Sequence, residues 1–210
     1  VVFCHGVRSH SWHAALWSTN WIKLAYEHKF MVAFGQATGD LVSVPERLHG
    51  CVAYGNMYWA IFEKSCDIRY LNHVLEDIKE CTDSKHELVD WSRVYYVGHS
   101  RGGLFCSNVA VEESLATKFA AMVNSMGGIQ NGQQEDHVKY CELDQSLKRD
   151  MYILTGEYDS HLDMCKRAHA LFTQYGWNVT LEIMPNVAHK YQKSKEKDLI
   201  DFLFTRKLQQ

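Results

Sequence analysis

A pentapeptide of the form G-x-S-x-G, Gly98-His99-Ser100-Arg101-Gly102, follows an apolar run at residues 94–97. A strand that reverses sharply into a helix holds its central serine in a strained backbone conformation, and the small residues beside it let the chain pass close by. This turn, a nucleophile elbow, lifts the serine hydroxyl clear of the sheet. The pattern therefore predicts Ser100 as a nucleophile.

A serine hydroxyl is a weak nucleophile unless a histidine accepts its proton and a carboxylate orients that histidine. In hydrolases built on such an elbow, the chain order is serine, then acid, then histidine. Asp159 follows the strand-like run 151–154, and His189 follows the run 179–184. The order and spacing predict a triad of Ser100, Asp159 and His189.

The acid of this triad has alternatives in the same loop. Asp159 also suits a helix cap near His161, and Glu157 and Asp163 are carboxylates within a few residues of it. Asp159 is favoured by its distance from the end of the preceding strand.

Acyl chemistry also needs N–H groups directed at the developing oxyanion. The amide of Arg101, directly after the nucleophile, is one candidate. The second is the amide of Val7, because the run 1–4 leads into a His5-Gly6 turn whose glycine permits close backbone approach.

These features together resemble the α/β-hydrolases of the secreted polyhydroxybutyrate depolymerase and feruloyl esterase group. The antiparallel strands that open such a sheet are missing from this sequence, so we expect a fragment of the usual sheet. The residues that carry the resemblance are His5-Gly6, Asp67–Leu71 with Glu76–Ile78, Ser92–Tyr95, Gly98–Gly103, Asp159 and His189.

The resemblance implies hydrolysis of a small or polymeric carboxylic ester through an acyl-enzyme, with feruloyl, acetyl-polysaccharide or hydroxyalkanoate esters as candidate substrates. It implies a secreted protein, with a cytoplasmic location as the alternative, and a substrate-facing ring at Trp59. We add His5 and His99 as candidate substrate-binding residues. A serine peptidase or acyltransferase with the same triad, and a non-catalytic binding protein, remain alternatives.

Strand-like and helix-like segments alternate along the chain, which predicts an α/β fold with a mostly parallel sheet and helices on both faces. The predicted strands are Val1–Cys4, Met31–Phe34, Val94–Val97, Ala120–Asn124, Met151–Leu154 and Val179–Met184. Four predicted helices each carry residues on one face. After a Thr19 cap these are Ile22, Ala25 and Tyr26, and after an Asp67 cap they are Ile68, Leu71, Leu75 and Ile78. The third helix carries Leu162, Cys165, His169 and Phe172 and ends at Gly176, and the last carries Leu199, Ile200 and Leu203.

Length and composition predict one domain over residues 1–210, since 46% of the residues are apolar and no linker-like tract interrupts them. A net charge of −3 without a basic stripe argues against nucleic-acid binding, and no apolar stretch approaches the ~20 residues that span a membrane. We expect a monomer without a cofactor. We also expect no metal site, because His5, His10 and His13 match no closed zinc spacing.

Seven cysteines include no C-x-x-C pair, which argues against a zinc ribbon or a thioredoxin motif. Cys4 and Cys106 lie in apolar segments and are predicted to be buried. A pairing of Cys51 with Cys66 would close the loop that carries Trp59.

Overall fold

The structure is a computed structural model that describes residues 1–7, 9–37, 59, 66–84, 89–141 and 143–208. Within these residues, six parallel strands form one sheet in the order β2-β1-β3-β4-β5-β6. The strands are β1 (Val2–Cys4), β2 (Ala33–Gly35), β3 (Tyr95–His99), β4 (Ala121–Ser125), β5 (Asp150–Tyr158) and β6 (Val179–Ala188).

All six predicted strands are confirmed, with ends that differ by one to four residues. The central strands are the easiest to recognise, because β3 and β4 are buried almost throughout. Parallel strands covered on both faces read as continuous apolar runs rather than as an alternating pattern. At β5 and β6 the observed strands run several residues past the apolar run, to the edge where the predicted acid and base lie.

Helices cover both faces of this sheet, as predicted. One core cluster includes Trp59, Leu71, Phe105 and Phe172, and a second on the other face includes Phe3, Trp21, Val97 and Leu203. The helices are α1 (Ser11–His13), α2 (Trp21–His28), α3 (Cys66–Ser84), α4 (Arg101–Val109), α5 (Glu113–Ala116), α6 (Gln133–Lys139), α7 (Leu162–Gln174) and α8 (Glu196–Phe204), with a π-helix at Ala14–Ser18.

The C-terminal end of α7 shows why Gly176 is required there. Its φ is +93°, and the amides of Gly176 and Trp177 donate to the carbonyls of Thr173 and Phe172. This pair of hydrogen bonds is the Schellman pattern that glycine favours after a helix, and it confirms the predicted cap.

The prediction for α2 was wrong in two respects. Thr19 does not cap the helix, because its hydroxyl donates to the carbonyl of Ala14, and Asn20 is the residue that precedes the first turn. Ile22 and Tyr26 are exposed, while Trp21 supplies the buried ring of this helix. Asp67 likewise lies inside the first turn of α3, which begins at Cys66, rather than before it.

The described cysteines match the prediction in part. Cys4 and Cys106 are fully buried and free, as expected. Cys66 is disulfide-bonded, but Cys51 lies outside the described residues, so the pairing of these two residues stays a prediction. Among the described helices, none is long and apolar enough to cross a membrane.

The elbow is tightened by a close approach of α4 to β1. The amide of Gly102 donates to the carbonyl of His5 over 3.1 Å, and a Cβ on Gly102 would lie 2.1 Å from the carbonyl oxygen of Cys4. Only a residue without a side chain fits at this crossing.

We expect Gly102→Ala to lower the free energy of unfolding by about 3 kcal/mol, because the added methyl group would have to displace backbone atoms. Gly132→Ala is the control: unlike the helical Gly102, Gly132 has a positive φ, but it has no atom within 4 Å of an added Cβ. The control should cost only about 1 kcal/mol, from backbone strain. Urea unfolding of both variants measures the difference, and equal losses would contradict the steric account.

Candidate active site

Ser100 occupies the tip of the elbow between β3 and α4. Its backbone has φ 55° and ψ −114°, a strained conformation for a residue other than glycine. The amide of Ser100 donates to the carbonyl of Ser125 over 2.8 Å, and its carbonyl accepts from the amide of Leu104 over 2.9 Å. The serine is thus fixed to β4 on one side and to the first turn of α4 on the other.

The end of the β5–β6 ladder brings the acid and the base together. Beyond an irregularity at Gly156, Tyr158 pairs with Ala188. The residues that follow these two partners are Asp159 and His189. Two segments about thirty positions apart in the chain therefore end side by side, at the carboxyl edge of the sheet.

His189 connects the serine to the acid through both ring nitrogens. Its Nδ1 lies 2.7 Å from Oδ1 of Asp159, and its Nε2 lies 2.9 Å from Oγ of Ser100. A carboxylate only accepts hydrogen bonds, so Nδ1 carries the proton and Nε2 of the neutral ring accepts from the serine hydroxyl. The three residues of the predicted triad are joined in the order that general-base catalysis requires.

The Asp159 carboxylate is held by more than the imidazole. Its Oδ1 also accepts from the amide of His161 over 2.8 Å, and its Oδ2 accepts from the hydroxyl of Thr155 over 3.1 Å. Burial alone would raise the pKa of this carboxyl, but the hydrogen bonds, led by that from His189, outweigh it and hold the pKa below its ordinary value. The group is therefore ionised beside His189 at neutral pH.

The alternative acids lie elsewhere. Glu157 accepts from the amide of Asn186 at the surface, and Asp163 is exposed in the first turn of α7. Of the three carboxylates considered, Asp159 is the one bonded to His189.

The loop after β1 approaches the serine closely. A Cβ on Gly6 would lie 3.2 Å from Cβ of Ser100, and Val7 lines the same cleft as Ser100. Arg101 is the first residue of α4, so its amide belongs to the helix N-terminus next to the serine. The Arg101 side chain is engaged elsewhere, because its Nε donates to the carbonyl of Trp59 over 2.9 Å.

The structure does not support a substrate-binding role for the His5 ring. His5 is 1% exposed; its Nδ1 donates to the carbonyl of Gly6, and its Nε2 accepts from the amide of Ala37. With both nitrogens engaged, the imidazole braces the loop after β1 instead of offering a hydrogen bond to a ligand. Burial lowers the pKa of this ring and keeps it neutral.

Trp59 does not face the substrate either, which corrects the expectation from the resemblance. Its ring is fully buried, stacked on Phe105 at 5.2 Å, and its Nε1 donates to the carbonyl of His5 over 2.9 Å. A large apolar ring with one N–H gains most where the ring is dry and the N–H is paired. Trp59 therefore supports the His5-Gly6 turn from within the core.

His99 lies beneath His189. Its ring stacks on His189 at 5.8 Å and meets the edge of Tyr191 at 5.1 Å. Burial, with a smaller effect of His189, lowers the pKa of His99 to about 3. The neutral ring packs under the site, and contact with a substrate remains a prediction.

A second histidine, His161, contacts the base and was not singled out from the sequence. Its ring lies 4.5 Å from that of His189, and its Nδ1 donates to the carbonyl of Met126 over 2.9 Å. His161 could have been found in the sequence from its position two residues after Asp159, because that position places its amide within hydrogen-bond distance of the carboxylate.

Asp159, His161 and His189 also place potential metal ligands within 4.8 Å of one another. The bonds of His189 to Ser100 and Asp159 already use both of its ring nitrogens. A cation here would have to displace those bonds, so the arrangement suits proton transfer better than metal binding.

Ser100 and His189 line a cleft of about 790 Å³, which is within the usual size range of small-molecule sites. Its walls come from the loop after β1, the π-helix, and the segment 189–194 after β6. The cleft thus lies between the candidate oxyanion loop and His189.

The fold is similar to that of known proteins. No family model matches the chain. An uncharacterized hydrolase of Acanthamoeba polyphaga mimivirus is 26% identical over 216 residues, which cover 98% of this chain and 69% of that protein. Among solved structures, SOBER1 of Arabidopsis thaliana superposes with a TM-score of 0.67 at 11% identity, over 97% of this chain and 96% of that one.

Two further structures agree. Esterase PE8 gives a TM-score of 0.67 at 16% identity, covering 97% of this chain and 90% of its own. FphF, a fluorophosphonate-binding serine hydrolase of Staphylococcus aureus, gives 0.63 at 18% identity, covering 96% and 82%. The chain has the α/β-hydrolase fold. This fold confirms the predicted class, while the polyhydroxybutyrate depolymerase and feruloyl esterase group stays a prediction.

We expect acidification to destabilise the protein through His99. The unfolded chain takes up a proton near pH 6.5 while the buried ring stays neutral down to about pH 3, so stability is greatest above pH 6.5 and falls as the pH drops towards 3. Between pH 7 and pH 5 this group accounts for about 2 kcal/mol.

The test is urea unfolding of His99→Gln at pH 7, 6 and 5, where the fall in the free energy of unfolding should shrink by that amount. His28→Gln, at an exposed position on α2, is the matched control and should retain the wild-type slope. An unchanged slope for His99→Gln would contradict the assignment.

Proposed function

We propose that this protein hydrolyses carboxylic esters through an acyl-enzyme at Ser100. The observation that carries the proposal is the pair of hydrogen bonds at His189, 2.9 Å to the serine oxygen and 2.7 Å to the Asp159 carboxylate. This arrangement supplies a nucleophile, a base in the correct tautomer and a fixed negative charge behind the base.

In the first half of the reaction, Oγ of Ser100 attacks the ester carbonyl carbon while Nε2 of His189 accepts the hydroxyl proton. The carbonyl electrons move to the oxygen, and the resulting oxyanion accepts hydrogen bonds from the amides of Arg101 and Val7. The intermediate then collapses, and the leaving alcohol departs with the proton held by His189. The product is an ester of Ser100.

In the second half, water attacks this acyl-enzyme and gives its proton to His189. Collapse of the second intermediate breaks the bond to Oγ of Ser100, which recovers the proton, and the carboxylic acid leaves. Throughout, the ionised Asp159 offsets the positive charge that forms on the imidazole.

The oxyanion assignment is supported by how the loop after β1 is held. The buried His5 ring and Trp59 fix this loop from below, and Gly6 packs on Ser100. A donor that is already in place when the charge develops needs no rearrangement, and each such donor contributes about 3 kcal/mol to lowering the barrier.

The ester class is supported by the solved structures that share this fold. The solved structures that superpose on the chain include esterase PE8, a carboxylesterase of Bacillus cereus and a fluorophosphonate-binding serine hydrolase. Feruloyl, acetyl-polysaccharide and hydroxyalkanoate esters are the proposed substrates. Relative rates on methyl ferulate, acetylated xylan and hydroxybutyrate oligomers separate these three.

Ser100→Ala should lower kcat for p-nitrophenyl acetate on the order of 10⁵-fold, because no other group can form the acyl-enzyme. The same variant should lose labelling by a fluorophosphonate probe. Ser84→Ala, at an exposed position on α3, is the control and should retain both activities. Wild-type activity in Ser100→Ala would remove this residue from the chemistry.

Asp159→Asn should lower kcat ~10⁴-fold, because an amide no longer fixes the tautomer of His189 or offsets its charge. Glu157→Gln changes the neighbouring carboxylate that does not contact His189, and it should behave as wild type. If Glu157→Gln caused the larger loss in p-nitrophenyl acetate turnover, the identity of the acid would be wrong.

A further inference from the structure

An exposed apolar surface adjoins the catalytic cleft. It consists of Val7, Trp12 and Trp17, and we call it the aromatic shelf. Trp12 and Trp17 are 51% and 58% exposed. Single exposed apolar residues need no explanation, but a contiguous apolar patch at the rim of a cleft marks a binding surface.

The shelf is built on a fixed backbone. The π-helix Ala14–Ser18 is closed by two bonds from Thr19, whose amide and hydroxyl both donate to the carbonyl of Ala14. Near the C-terminal end of this π-helix, Nζ of Lys193 donates to the carbonyl of Trp17 over 2.6 Å. Lys193 lies four residues after His189, so the shelf is tied directly to the segment that carries the base.

The aromatic rings of the shelf meet at a right angle. Trp12 and Trp17 lie 5.2 Å apart with their planes at 78°, and His10 stacks on Trp12 at 5.7 Å. His13 packs against both rings, at 6.0 Å from Trp12 and 5.6 Å from Trp17, so a further flat ring can stack on the exposed part of Trp17. Edge-to-face and offset-stacked contacts are the arrangements that aromatic groups prefer.

The shelf is continuous with the site of chemistry. Val7 and Trp17 line the same cleft as Ser100 and His189. The rest of the wall mixes polar residues, including Ser9, Ser18 and Gln192, with the apolar Phe3 and Ala14.

We propose that the aromatic shelf binds an aromatic ring of the ester attacked by Ser100, with Trp17 as a specificity-determining residue. This inference rests on the proposed esterase function. The ring can belong to the acyl group or to the alcohol, since both are attached to the carbonyl carbon at Ser100.

Two pairs of substrates separate these sources, each pair matched in size and differing only in aromaticity. Benzyl acetate and cyclohexylmethyl acetate vary the alcohol, and methyl phenylacetate and methyl cyclohexylacetate vary the acyl group. The measured quantity is the ratio of kcat/KM for the aromatic member to that for the saturated member.

Trp17→Leu keeps an apolar side chain and removes the aromatic face. We expect the wild-type ratio to fall about fivefold in one pair or both, in line with the extra energy of aromatic contacts. A fall in the benzyl pair assigns the ring to the alcohol, and a fall in the phenylacetate pair assigns it to the acyl group. Tyr140→Leu, which changes an exposed ring outside the cleft, is the matched control and should leave both ratios as in wild type.

The outcomes separate this inference from the proposal beneath it. Hydrolysis by the wild type with ratios unchanged in Trp17→Leu would overturn the aromatic site and leave the esterase intact. Absence of both ester hydrolysis and fluorophosphonate labelling in the wild type would overturn the esterase and, with it, the role of the shelf. Thermal unfolding of Trp17→Leu checks that the exposed substitution leaves the fold in place.

Discussion

The crowded backbone around residue 100 is the constraint on which the rest of the site depends. A non-glycine residue at φ 55° and ψ −114° costs about 1 to 3 kcal/mol, and it persists only where its surroundings over-determine it. Here β4 holds the Ser100 amide, the loop after β1 holds the Gly102 amide, and the hydroxyl of Tyr96 donates to the carbonyl of Gly102 over 2.8 Å. The parallel sheet and its tight crossing with α4 thus keep the hydroxyl where an incoming carbonyl can meet it.

A buried carboxylate, that of Glu196, lies in the packing that supports the segment after His189. The carboxylate of Glu196, at the start of α8, accepts from the amide of Asn20 over 2.9 and 3.1 Å, and burial raises its pKa. Tyr191, two residues after His189, accepts a hydrogen bond from Nε1 of Trp21 over 2.8 Å. The segment after His189 is therefore anchored to the first turn of α2, and Glu196 joins the start of α2 to α8.

Sequence reasoning succeeded where a residue's role is set by its near neighbours. The six strands follow from apolar runs, and Gly176 follows from the left-handed turn after a helix. Ser100, Asp159 and His189 could be predicted because parallel strands end at one edge, so residues just past the strand ends converge.

It failed where packing between distant segments decides. Trp59 and Trp17 are both tryptophans near the cleft, but the buried Phe105 gives one a stacking partner and the chain leaves the other exposed. Nothing in the local spacing distinguishes them. Thr19 was misjudged for a similar reason: its hydroxyl has two acceptable backbone partners, and the π-helix before it supplies the better one. The contact of His161 with His189 also needs three-dimensional information, since it joins loops after different strands.

The order of strands in the sheet has a consequence for biosynthesis. The nucleophile lies on a central strand, whereas its base follows the edge strand β6, 89 residues later in the chain. Pairings of such long range form slowly, and translation at about 5 to 20 residues per second makes the interval between the two segments several seconds long. A nascent polypeptide therefore contains the Ser100 turn before His189, the residue that accepts its hydrogen bond, has been synthesised.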